Sequence, residues 1–154
     1  MNLLTALLTP ERVRIDLDAS ARSRVFEEAG RLFAAYPGLD TAQVVDSLAE
    51  REKMGSTAVG QGVALPHARV RGLREPMAAF FRLKLPIPFD APDGKPVSMV
   101  FILLVPEHAT EAHLQLLAEA AQMFCDRRFR DHLRQQTDMA GLIQCFAAWP
   151  AIPA

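Results

Sequence analysis

Along the chain, Val13, Ile15 and Leu17 alternate with Arg14 and Asp16, the period-two pattern of a short half-buried strand. The period then changes. Val25, Phe26, Ala29, Leu32, Phe33 and Tyr36 recur at helical spacing, behind Ser20 as a cap and ahead of Pro37-Gly38 as a stop. A second helical stripe, Val44, Val45, Leu48 and Ala49, starts near Asp40 or Thr41 and fades at Gly55. Brief strand-like pieces follow at residues 57–59 and 63–65. Residues 77–85 and 97–105 read as longer strands. The second of these, VSMVFILLV, is apolar almost throughout, as an inner strand covered on both faces must be. Between them, PIPFDAPDGKP carries prolines and Asp93-Gly94, the marks of a turn-bearing loop. So short a connection predicts antiparallel pairing. Thr110 caps a third helix with the stripe Leu114, Leu117, Ala118, Ala121 and Phe124. Helical spacing resumes around Phe129 and Leu133, then from Thr137 to Phe146, and Trp149-Pro150 ends it. The predicted fold class is α/β: a mixed sheet with helices on both faces.

Composition narrows the picture. The chain has 154 residues, which predicts one domain over residues 1–154, and half of them are hydrophobic, enough for a real core. Charged residues make up 23% and the net charge is −1, so neither a disordered chain nor a basic nucleic-acid or anionic-membrane footprint is expected. Cys125 and Cys145 lie far apart with no CxxC, which speaks against a disulfide scaffold or a zinc knuckle and suits a reducing compartment. The apolar start, MNLLTALLTP, lacks a basic segment before it and does not read as a signal peptide. No apolar run reaches the ~20 residues of a membrane-spanning helix. A cytoplasmic protein is expected.

Chemistry concentrates in REKMGSTAVGQGVALPHAR, residues 51–69. Gly55 and Gly60 have phosphate-loop spacing, but Gln61 and Gly62 stand where a lysine and a hydroxyl are needed. Gly60-x-Gly62 begins a dinucleotide fingerprint that fails at Leu65. The plain reading of these glycines is tight turns or positive φ, and the sharper one is close backbone approach to an anion. Of the four histidines, His132 sits among charged residues on a polar helix and His108 in a loop. His67 differs. Pro66 fixes its own φ and pushes Leu65 toward extended geometry, so the chain delivers His67 stiffly at a strand end. His113 falls in the first turn of the Thr110 helix. There is no HExxH, His108 and His113 are wrongly spaced for one helix face, and neither a metal nor a cofactor is expected. No G-x-S-x-G elbow supports a serine hydrolase.

Taken together, these segments resemble enzyme IIA of the bacterial phosphoenolpyruvate-dependent phosphotransferase system, fructose/mannitol type, and within it the nitrogen-regulatory branch. The resemblance runs through REKMGSTAVGQGVALPHAR and PIPFDAPDGKPVSMVFILLVPEHATEAHLQLLAEAA and covers nearly the whole chain. It implies that His67, in PH, accepts a phosphoryl group, that His113, in HL, is the second active-site histidine, and that Arg51, in RE, joins them. The implied donor is a histidine phosphocarrier protein. The implied output is regulation of partners such as sensor kinases or ion-transport proteins, according to phosphorylation state. The alternatives are a sugar-specific enzyme IIA feeding a permease B domain and a ligand-binding module that is never phosphorylated. Two positions depart from the pattern: Ala58 and Ala68 stand where glycine is usual, which threatens strain if φ must be positive there.

Overall fold

In a computed structural model the structure describes residues 4–150, so the first residues of the apolar start lie outside it. The elements are β1 (Val13–Leu17), α1 (Arg22–Phe33), α2 (Thr41–Lys53), β2 (Ala58–Gly60), β3 (Val63–Ala64), β4 (His67–Val70), β5 (Met77–Ile87), β6 (Val97–Pro106), α3 (Glu111–Cys125), α4 (Arg127–Gln135) and α5 (Met139–Ala148). One mixed sheet runs in the order β1-β5-β6-β3-β2, with β4 also on β6. β5 and β6 pair antiparallel, as the short connection predicts, while β1 on β5 and both β3 and β4 on β6 are parallel. β6 has partners along both edges, and its residues from Val97 to Val105 are buried except Ser98. The apolar run is the inner strand expected from it.

Alternation divides the core into two layers. Consecutive side chains of a strand point to opposite faces, so Ala79, Phe81, Ile102 and Leu104 pack against α1 and α2. Ala78, Phe80, Phe101 and Leu103 pack against α3, α4 and α5. The second layer is aromatic. Phe80, Phe101, Phe124, Phe129 and Phe146 meet at ring-centroid separations of 5.2 to 6.2 Å, mostly edge-to-face or tilted. Among the described residues no helix is long and apolar enough to cross a membrane.

Three local expectations are corrected. The N-cap of α1 is Ala21 rather than Ser20, and no side chain caps it. Packing holds that end instead, with the Arg22 guanidinium 5.6 Å from the Phe89 ring. His67 opens a strand, β4, rather than closing one. On α3 the core face is Leu116, Ala120, Met123 and Phe124, whereas Leu114 is 50% exposed. The helix is apolar on more than one side, and only one side can face the sheet.

At Gly30 the helices α1 and α2 come together. A Cβ there would stand 2.8 Å from both the Thr41 carbonyl oxygen and Val45 Cγ2. Alanine in place of a helical glycine ordinarily stabilises by about 1 kcal/mol. Gly30→Ala is expected to do the reverse, costing about 1–3 kcal/mol through overpacking. Urea denaturation of the two proteins checks the sign.

Candidate functional site

β3 and β4 lie in one line along β6. Val63 pairs with Met99 and His67 with Leu103, the same offset of 36 positions, so only Leu65 and Pro66 interrupt a continuous parallel ladder. Pro66 has no N–H to give; its carbonyl still accepts from Leu103 N–H at 3.0 Å, and Leu65 N–H turns to the Thr57 carbonyl at 3.0 Å. Alternation then puts Leu65 inside the aromatic layer and His67 on the same face one repeat further on. There the cover ends, and His67 is half-buried.

Around it lies a depression of about 830 Å³. Asp46, Ser47, Glu50, Arg51, Lys53 and Met54 line it from α2 and its end, Arg69 and His67 from β4, Leu103 and Val105 from β6, and His113, Leu114 and Leu117 from α3. α2 packs on one face of the sheet and α3 on the other, and β4 has no strand on its outer edge among the described residues. Arg51 reaches His67 past that edge. The fold thus brings Arg51, His67 and His113 to one surface feature. His108, exposed in a loop, and His132, on α4, do not line it.

Hydrogen bonds assign the state of each ring. His67 Nδ1 lies 2.9 Å from the Leu65 carbonyl oxygen, which can only accept, so Nδ1 carries the proton. His67 Nε2 is then a lone pair, and the Arg51 Nε–H donates to it at 3.3 Å. Arg51 is held on its far side, where Nη1–H donates to the Gly55 carbonyl at 2.9 Å. His113 has the opposite polarity. Its Nδ1 accepts from the Thr110 N–H at 3.2 Å, half of a capping box at the start of α3, so a neutral ring carries its proton on Nε2. One imidazole presents a nucleophilic nitrogen and the other an N–H donor. Burial lowers the pKa of His67; the Leu65 carbonyl opposes this, Arg51 lowers it further and the Glu52 carboxylate partly offsets that. The ring is therefore the neutral, nucleophilic form at neutral pH.

The glycine turn takes no part in the depression. Gly60 pairs with Val63 across a two-residue hairpin, and Gln61 and Gly62 have φ of 59° and 79°. That is the left-handed pair of a type I′ turn, which favours glycine. The Gln61 N–H is taken by Asp93 Oδ2 at 2.9 Å and the Gln61 carbonyl by Arg134 Nη2 at 2.9 Å. Both backbone groups of Gln61 are spent on the fold, and five positions of near-extended chain, up to about 16 Å, carry it from Gly62 to His67. Ala58 and Ala68 are buried strand residues outside the positive-φ set, so neither is strained. Sequence reasoning missed Arg69, two positions beyond His67 on the same strand, although period two signals it. It also missed Glu52, buried behind Arg51, for which no local pattern gives a sign.

The His67 imidazole is expected to titrate below the ordinary histidine value of 6.5. Arg51→Ala removes a cation and opens the ring to water, both of which favour protonation, so the titration moves up. Proton NMR of the ring carbons measures both. The unfolded ring binds its proton at higher pH than the folded one, so this residue costs stability as pH falls through about 6.5. In His67→Ala that part of the stability–pH curve flattens.

Comparison with known proteins shows the family of the chain. Residues 6–148 match the family described as EIIA 2 of the phosphoenolpyruvate-dependent sugar phosphotransferase system. The chain is 41% identical over 142 residues to a nitrogen regulatory protein of Pseudomonas aeruginosa, covering 92% of each. It is 36% identical over 151 residues to one from Bradyrhizobium diazoefficiens, covering 98% of this chain and 99% of the other. The crystal structure of nitrogen regulatory protein IIA-Ntr from Neisseria meningitidis superposes with a TM-score of 0.89 at 41% identity, over 94% of this chain and 99% of that one. The chain therefore belongs to the EIIA type 2 family of the phosphoenolpyruvate-dependent phosphotransferase system, and within it is similar to the nitrogen regulatory proteins.

Proposed function

We propose that this protein is a cytoplasmic phosphohistidine carrier that takes a phosphoryl group on His67 Nε2 from a histidine phosphocarrier protein and regulates partners according to whether it holds one. The observation that carries the reading is the chain of bonds from the Leu65 carbonyl through the His67 ring to the Arg51 guanidinium. It leaves Nε2 unprotonated and places a cation beside it.

In transfer, the Nε2 lone pair forms a bond to phosphorus as the donor's P–N bond breaks, and the electron pair of that bond returns to the donor's imidazole. The accepting ring gains positive charge, which the Leu65 carbonyl stabilises at Nδ1–H. Arg51 turns from the lone pair to the equatorial phosphoryl oxygens, staying within reach through Gly55. His113 Nε2–H and the N-terminus of α3 meet the same charge from the other wall. The step uses in-line positioning and charge stabilisation and no proton transfer. The regulated partners implied by the resemblance are sensor kinases or ion-transport proteins. The carrier docks on the apolar ground next to the histidine, where Met54 is 83% and Leu114 50% exposed above Val105 and Leu103, inside a polar rim of Asp46, Glu50 and Arg69.

Incubation with phosphoenolpyruvate and the upstream carriers tests this, with intact-protein mass spectrometry as the readout. Parent protein is expected to gain one acid-labile, alkali-stable phosphoryl group, and His67→Ala none. His108→Ala and His132→Ala label as the parent does. His113→Ala still labels, about tenfold or more slowly, for loss of one charge-stabilising donor. Labelling of His67→Ala at the parent rate defeats the mechanism and favours a ligand-binding module. Onward transfer to a permease B domain instead identifies a sugar-specific component. Chemical-shift mapping with the carrier is expected to centre on Met54 and Leu114, and changes confined to α4 would sink the docking surface.

A further inference from the structure

Glu52, next in the chain to Arg51, is 7% exposed. A buried carboxylate needs donors to offset its lost hydration, and this one has them. Its Oε1 accepts from the Thr57 hydroxyl at 2.7 Å, and its Oε2 accepts from the Thr57 N–H at 2.9 Å and lies 3.5 Å from Arg22 Nη1. The turn between Glu52 and Thr57 is thereby pinned at both ends. At its start the Met54 and Gly55 N–H groups donate to the Arg51 and Glu52 carbonyls at 3.1 Å each. At its finish the Glu52 side chain grips Thr57. Within it Gly55 holds φ at +150° with nothing within 4 Å of a would-be Cβ, so backbone conformation rather than space selects glycine there. The carbonyl presented by that conformation is the one that anchors Arg51.

We propose that Glu52 is a positioning residue of the site: through Thr57 it sets the turn whose Gly55 carbonyl holds the Arg51 guanidinium against His67. Glu52 faces the interior, and its bonds go to Thr57 and Arg22. Its effect on transfer runs through Arg51, and its charge also reaches the ring, where it raises the proton affinity of His67 against Arg51. The geometry stands by itself; the consequence for transfer rests on the phosphocarrier reading.

The test is Glu52→Gln, which keeps the volume and removes the charge. The rate of labelling at saturating phosphorylated carrier is expected to fall about tenfold, the cost of a misplaced catalytic group. The His67 ring titrates at higher pH than in the parent, because Arg51, once withdrawn, had lowered its proton affinity more than Glu52 raised it, and the acid limb of the rate profile moves up with it. In an Arg51→Ala background Glu52→Gln changes the rate little, since its route of action is gone. A parent rate with a titration no higher than the parent's, whatever the melting temperature, reduces Glu52 to a fold residue and overturns the inference. If Glu52→Gln does not fold, Thr57→Val decides. It removes one bond to the carboxylate and keeps the charge, and is expected to slow labelling in the parent background but not in Arg51→Ala. A parent-like rate in Thr57→Val overturns the inference. A parent protein that never labels defeats the phosphocarrier reading separately. The His67 titration and the Arg51 Nε–H resonance in the two variants then still show whether Glu52 places Arg51.

Discussion

One edge of β6 is used twice by the same stretch of chain, and the functional geometry follows from how that use is interrupted. β3 and β4 share one register on β6, broken at Leu65 and Pro66. A proline in a ladder withdraws one donor and locks one φ, yet it leaves the carbonyl free to accept. The line therefore continues past it without a slip. Had the register moved by one residue, His67 would point to the α1–α2 face, in among Ala64, Ala68 and Val70, and a charged or phosphorylated ring there would be without solvent. Conserving the register keeps His67 on the face of Leu65, one repeat beyond the aromatic layer.

Charge around that ring is arranged in depth. Arg51 stands in contact with it, and Glu52 stands behind Arg51, bonded to Thr57 and Arg22. Arg22 in turn pairs with Asp90 at 3.5 Å and lies over Phe89, and the Ser56 hydroxyl donates to the Phe89 carbonyl. The exposed β5–β6 connection is thus tied to the turn that carries Gly55. Burial and Arg51 both hold the imidazole neutral, which makes it a nucleophile. The same cation that suppresses protonation is the one positioned to meet phosphoryl oxygens.

α3 also serves two surfaces. Leu116, Ala120, Met123 and Phe124 enter the core, while Leu114 and Leu117 form a wall of the depression. A helix whose apolar residues cover more than half its circumference cannot bury them all against one sheet. The remainder stays at the surface, here beside the reacting group, where apolar contact favours docking of another protein.

Much was legible in the residues alone. Period two marked β1, near-unbroken apolarity marked β6 as the inner strand, and a short proline-rich connection required β5 and β6 to pair antiparallel. Asp40 capped α2 as its side-chain chemistry predicts, accepting from the Gln43 N–H at 2.7 Å. Pro66 before His67, with the likeness of the whole segment to enzyme IIA proteins, singled out the candidate histidine. These are local properties, set by spacing and by what one side chain can do to its own backbone. Other features are not local. The return of the chain to β6 as β4, the choice of core face on α3, and the commitment of the Gln61 backbone to Asp93 and Arg134 all depend on partners 30 or more residues away. So does the burial of Glu52, set by Arg22 on another helix, whereas the proton on Nδ1 of His67 is set locally, by the Leu65 carbonyl two residues before it. Sequence determined which groups this protein has available for chemistry. Tertiary structure decided which of them meet, because only packing fixes what lies opposite each edge and face.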